Sequence, residues 1–200
     1  MLTLVDRADL RVQVLQGLLE LNHNNLRETV PVSSVLLSVV GEVEGHLAEA
    51  GWDQPPQLFA LVDTEELLRA EPQLAASMGL VAARPGSLTP IAQEPVGDGP
   101  LDEALGAVVF GPEVLGVVLA HEVLVLPPSA EVALDAAADP ASVAHEHPER
   151  REVRMAVGVL RDGSRECVLR LRATSDGEDQ RVGGSDLVPG LADALLATLD

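Results

Sequence analysis

Glu152-Val153-Arg154-Met155-Ala156-Val157-Gly158-Val159-Leu160-Arg161 runs into Asp162-Gly163-Ser164 and on into Arg165-Glu166-Cys167-Val168-Leu169-Arg170-Leu171-Arg172-Ala173. Two alternating legs around an Asp-Gly turn spell a β-hairpin. Side-chain direction selects its register. A two-residue turn would set Met155 against Arg170 and Val153 against Arg172, mixing apolar and charged groups on one face. A three-residue loop, Asp162-Gly163-Ser164, pairs Val159 with Cys167, Val157 with Leu169 and Met155 with Leu171. That choice leaves one continuous apolar face. It also places Arg154 opposite Arg172 and Ala156 opposite Arg170 on the reverse side.

The reverse side raises an electrostatic problem. Seven of the thirteen arginines lie between Arg150 and Arg172, among only three acids, Glu152, Asp162 and Glu166. This segment carries +4 and the rest of the chain −23, which together give the net −19. Like charges directly across strands cost roughly 0.2–1 kcal/mol. A counter-charge is therefore expected. The simpler source is the chain's own acidic helix bearing Glu42, Glu44 and Glu49, packed over that face. The other is an external carboxylate or phosphate, for which planar guanidinium groups are suited.

Outward from the hairpin, Leu36, Val39, Val40, Val43, Leu47 and Ala50 make one apolar helical stripe starting at Ser33 or Ser34. Gly51 supplies the left-handed end, and Trp52 is expected to fold back on the last turn. Trp52-Asp53-Gln54 is the competing candidate for a binding loop. Leu58–Val62 reads as a buried strand and Thr64–Met78 as one helix capped by Thr64. Within the Pro- and Gly-rich stretch 83–100, Leu88–Ala92 is extended, and Leu101–Phe110 forms a short helix. Val114–Leu126 is a central strand, because both alternating sets of its side chains are largely apolar. Asp139-Pro140 begins a helix ending before Pro148, and a last helix spans Val188–Leu199. Residues 1–30, with Leu4, Ala8, Val12, Leu15 and Leu19 in helical spacing, read as a helical N-terminal extension.

Composition excludes more than it assigns. The chain has no lysine, which removes Schiff-base chemistry, a phosphate-loop lysine and a kinase strand lysine. A net charge of −19 argues against nucleic acid and anionic membrane surfaces. No apolar run reaches the roughly 18 residues of a membrane span, and a single cysteine, Cys167, cannot form an internal disulfide. Without an export signal at the start, the expected location is the cytoplasm. His145 and His147, with Glu146 and Glu149, diverge on a helix, and His121 and Glu122 face opposite sides of a strand. Neither is a recognised metal spacing. Cys167 is expected to be an inert core thiol.

The strings Gly51-Trp52-Asp53-Gln54-Pro55-Pro56, Leu58-Phe59-Ala60-Leu61-Val62-Asp63-Thr64, Pro100-Leu101-Asp102-Glu103-Ala104-Leu105, Val157-Gly158-Val159-Leu160-Arg161-Asp162-Gly163 and Asp186-Leu187-Val188-Pro189-Gly190-Leu191 resemble those of a family of uncharacterised acidic actinobacterial proteins of about this length. The likeness covers roughly residues 35–200 and implies no activity, cofactor or catalytic residue.

The expectation is therefore one α+β domain over residues 1–200: a mainly antiparallel sheet with helices packed on it, ending in a strand-strand-helix unit. No catalytic, metal or cofactor site is read from the sequence. The leading functional reading is a non-enzymatic cytoplasmic adaptor that binds another protein through Arg154, Arg170 and Arg172, with Trp52 and Asp53 beside them. The alternative is a binding protein or enzyme for a small anionic metabolite, using the same arginines as a clamp. Oligomeric state is not encoded in any readable pattern.

Overall fold

The computed structural model describes residues 35–94, 100–130, 134–173, 177–185 and 187–200; the expected N-terminal extension lies outside these. Helix α1 (Val35–Glu49) is followed by strand β1 (Gln57–Asp63), helices α2 (Thr64–Ala70) and α3 (Pro72–Ser77) and strand β2 (Leu88–Ala92). Then come α4 (Leu101–Gly106), β3 (Gly116–Val125), α5 (Pro140–Glu146), β4 (Arg151–Leu160), β5 (Arg165–Leu171), β6 (Gln180–Gly184) and α6 (Pro189–Leu196). The six strands form one sheet in the order β2-β1-β3-β4-β5-β6, antiparallel throughout. This is the α+β architecture expected. Among the described residues no helix is long and apolar enough to cross a membrane.

Both faces of the sheet are covered, so the central strand β3 is buried along nearly its whole length. On one face α6 sets Leu191, Ala192 and Leu195 against Leu119, Val157, Cys167 and Leu169. On the other, the α1 stripe of Leu36, Val39, Val40, Val43 and Leu47 packs on Phe59, Leu61, Val118, Ala120, Ala156 and Val168. Each such Leu or Val, fully buried, contributes about 1.5–3 kcal/mol relative to exposure. Gly158 sets how closely α1 lies. A Cβ there would sit 2.4 Å from Val40 Cγ2.

Two local expectations are corrected. The helix expected over Thr64–Met78 is two helices, because Pro72 cannot continue the first and instead opens the second. Its N-cap is Asp63, whose carboxylate accepts from Glu66 N–H, and not Thr64, whose hydroxyl meets that of Thr89 at 2.9 Å. The hairpin register is the second. Val157 pairs with Cys167, Met155 with Leu169 and Val153 with Leu171, so Arg154 lies opposite Arg170 and not Arg172. Ala156 lies opposite Val168. The loop is Arg161-Asp162-Gly163, closed by Leu160 N–H to Ser164 O, with Gly163 at φ +86°. A three-residue hairpin loop needs its left-handed residue at the third position, and only glycine takes it without strain. Gly163 thus draws the loop one residue back and slips the ladder by two. An even slip leaves every side chain on its expected face.

β6 was not foreseen. It inserts a further strand between the hairpin and α6, so the chain closes on β4-β5-β6-α6.

Candidate functional site

The register builds a row of charge across four adjacent strands on the α1 face: Glu122 on β3, Arg154 on β4, Arg170 on β5 and Arg181 on β6. Three neighbouring guanidiniums would repel one another if left alone. Glu122 reaches Arg154 directly across the strand pair, its Oε1 accepting from Nε at 3.0 Å and Nη2 at 2.6 Å. From above, Glu44 of α1 accepts from Arg170 Nε at 2.5 Å and Nη2 at 2.8 Å, and lies 3.2 Å from Arg181 Nε. The Glu44 hydrogen bond, opposed by partial burial, pushes the Arg170 pKa further up. The counter-charge on Arg170 is thus the acidic helix of the same chain. Of the three acids expected to supply it, Glu44 does so.

Glu44 and Arg154 are among the largest fully buried side chains of the protein. A buried charge is tolerated only when paired and hydrogen-bonded. Arg154 Nη2 also donates to Gly51 O, which ties α1's last turn to the sheet. Its Nη1 meets no oxygen or nitrogen among the described residues. The ring of Trp52 lies over this guanidinium, 4.8 Å from Cζ to the centroid, a cation–π contact with a charge otherwise shut off from water.

Gly51, at φ +89°, ends α1 as expected and delivers Trp52 and Asp53 onto the arginine face. Arg172 approaches the same ring at 5.4 Å, and Trp52 Nε1 donates to Asp179 Oδ2 at 3.2 Å. The tryptophan's partners are thus on the sheet side. Asp53, itself at φ +69°, donates its N–H to the second oxygen of Glu122 at 2.7 Å. Its carboxylate lies 3.7 Å from Arg172 Nη1, which also donates to Glu152. The Glu152 hydrogen bond raises the Arg172 pKa. All five sequence candidates, Arg154, Arg170, Arg172, Trp52 and Asp53, therefore meet in one cluster.

Within the cluster burial divides the roles. Arg154 is 1% and Arg170 20% exposed, whereas Arg172 is 39%, Arg181 47% and Asp53 61% exposed, and Trp52 is half-buried. Sequence reasoning missed Glu122, Asp179 and Arg181. The sign opposite Arg154 was unreadable without the β3–β4 register, and β6 carries too weak a strand pattern to show where Arg181 lies.

Of the weaker candidates, His145 and His147 have local hydrogen-bond partners, whereas both ring nitrogens of buried His121 have none among the described residues. His145 Nδ1 lies 2.8 Å from Ala141 O, and His147 Nδ1 accepts from Glu149 N–H at 3.1 Å. His121 is buried on the α6 face, opposite Met155, and burial lowers its pKa from 6.5 to about 4. Cys167 is buried, and desolvation pushes its thiol pKa far up, away from reactivity.

Fold and cluster together define an antiparallel α+β protein whose arginine row is neutralised largely by its own carboxylates. Residues 36–200 match the model of the PPA1309-like protein family, and the chain belongs to that family. No curated protein and no solved structure matches it.

Proposed function

We propose that the protein is a non-enzymatic interaction module of the actinobacterial cytoplasm that binds another protein through the exposed rim of this cluster. The observation that carries the reading is Trp52, held half-buried over Arg154 and Arg172 and tethered to Asp179. Tryptophan and arginine are the residue types in which interface binding energy concentrates. Here neighbouring contacts already hold them, so little ordering entropy is left to lose on binding. The rim offers both signs, with Arg172 and Arg181 beside Asp53. That suits a polypeptide surface better than a single small anion.

The anionic-metabolite reading is less favoured. Its clamp arginines, Arg154 and Arg170, are engaged by Glu122 and Glu44, both buried, and an incoming anion would have to displace those carboxylates. Affinity capture from native lysate tests the interaction reading. Wild type should retain a partner that Trp52→Leu and Arg172→Ser release, with both variants folded. A set of retained proteins identical for all three chains refutes it.

A further inference from the structure

Among the described residues the sheet has two outer strands, β2 and β6. Hydrogen-bond parity tells which backbone groups each turns outward. Beside β2, Thr64 N–H donates to Ser87 O and Gln93 N–H to Leu58 O. Odd-numbered β2 residues therefore face β1, and Leu88, Pro90 and Ala92 face out. Pro90 has no N–H, so this edge is blocked at its centre. On the other side, Arg172 N–H donates to Glu152 O and Leu160 N–H to Ser164 O. Even-numbered β5 residues thus face β4, while Cys167, Leu169 and Leu171 face Gly184, Val182 and Gln180 of β6. What remains facing outward is the N–H and C=O of Arg181 and Gly183, and no described strand pairs with them.

Among the described residues this second edge is unpaired and carries no proline, where the first is blocked at its centre. Gly183 is exposed, and even a Cβ there would meet only Cys167 O at 3.7 Å and Leu37 Cδ1 at 3.9 Å. Arg181 Nε pairs with fully buried Glu44 and its Nη2 donates to Gly41 O at 2.9 Å, yet the side chain stays 47% exposed, so the edge keeps part of an anchored guanidinium at the solvent boundary. Asp179, one residue before β6, holds Trp52 at the head of the strand.

We infer that the β6 edge docks an extended segment of a partner protein as an added strand, with a carboxylate side chain of that segment against Arg181. The inference rests on the protein-interaction reading and gives it a geometry. Main-chain hydrogen bonds to Arg181 and Gly183 supply affinity, and Arg181 and Trp52 supply selectivity.

Gly183→Pro removes the outward N–H and leaves the β5–β6 ladder intact, as Pro90 does for β2 on the opposite edge. Gly183→Ala keeps the N–H and is the control. Random heptapeptides displayed on phage are selected against the full chain. The selected peptides are then titrated into wild type and both variants, and hydrogen exchange is followed at the Arg181 and Gly183 amides. Peptides sharing an acid at one position should bind wild type and Gly183→Ala alike, and Gly183→Pro about tenfold or more weakly. Both amides should exchange fast in the free protein and slowly with peptide bound. The inference is overturned if no peptide is selected, if Gly183→Pro binds as well as wild type, or if the amides are already protected in the free monomer. A dimer that Gly183→Pro dissolves would assign the edge to a second copy and likewise overturn it. If Trp52→Leu releases the lysate partner but Gly183→Pro keeps it, the interaction reading stands and edge docking falls.

Discussion

Replacing Arg154 with methionine keeps an unbranched apolar stem and removes the guanidinium with its charge. Glu122 then loses both donors to Oε1, Gly51 O loses the Nη2 donor, and Trp52 loses the cation 4.8 Å from its ring. Glu122 is 4% exposed, so its carboxylate cannot recover those contacts from water. Orphaning one partner of a buried ion pair costs about 3–5 kcal/mol. With a urea m-value of about 2 kcal/mol/M, that lowers the unfolding midpoint by about 2 M. Trp52 is the only tryptophan and the chain has no tyrosine, so intrinsic fluorescence reports this cluster directly. The informative comparison is Arg154→Met with Glu122→Leu in one chain. Removing both charges should restore more than half of the loss, since two apolar groups replace a pair that was costly to desolvate. An Arg154→Met chain within about 1 kcal/mol of wild type would refute the view that this arginine is a structural counter-ion. So would a double variant as unstable as the sum of the single ones.

Burial keeps His121 neutral, so the unfolded chain takes up a proton near pH 6.5 and the folded one only near pH 4. Stability from this group is complete above about pH 6.5 and falls as the pH drops toward 4, by about 3 kcal/mol; His121→Leu should flatten that slope in urea titrations, and an unchanged slope rejects the assignment. Arg161 donates to the carbonyls of Phe110, Gly111, Val114 and Leu199, binding the β4 end to the last turn of the chain. Arg161→Gln should cost about 1–3 kcal/mol and speed hydrogen exchange in the last ten residues selectively; uniform exchange would refute a local clamp. Gly158→Val drives a side chain into Val40 and Leu36, and should destabilise by about 1–3 kcal/mol or more, with a melting temperature equal to wild type as the refuting result. Cys167 should react with a thiol reagent only after unfolding; labelling of the native chain at a comparable rate would contradict its burial.

Much of this architecture was legible because periodicity is robust to small errors. The α1 stripe, the doubly covered β3 and the apolar hairpin face all follow from which positions are apolar. Register was less so. The reading placed Asp162-Gly163-Ser164 in the loop, whereas the left-handed requirement at Gly163 makes the loop Arg161-Asp162-Gly163. That requirement was in the sequence and was the better guide. β6 was unreadable for a different reason: Gln180-Arg181-Val182-Gly183-Gly184 has one β-branched residue and two glycines, and its extended state depends on β5 beside it. Without β6, Arg181 had no position, and the charge row stopped one strand short.

The arginine concentration marks one face of the sheet, but its cause divides in two. Arg154 and Arg170 are held by carboxylates that are themselves out of water, so their charge is consumed in attaching α1, its terminating loop and β3 to the hairpin. Arg172 and Arg181 share those same partners or others but keep 39% and 47% of their side chains exposed. A cation used only to offset a buried acid gains nothing from exposure, because solvent screening weakens the very pair it forms. Arg172, paired with the partly exposed Glu152 and the exposed Asp53, and Arg181, held by Glu44 and Gly41 O, stand near Trp52 and β6, the edge that no proline closes among the described residues. That exposure is what the proposed contact with a partner protein would use.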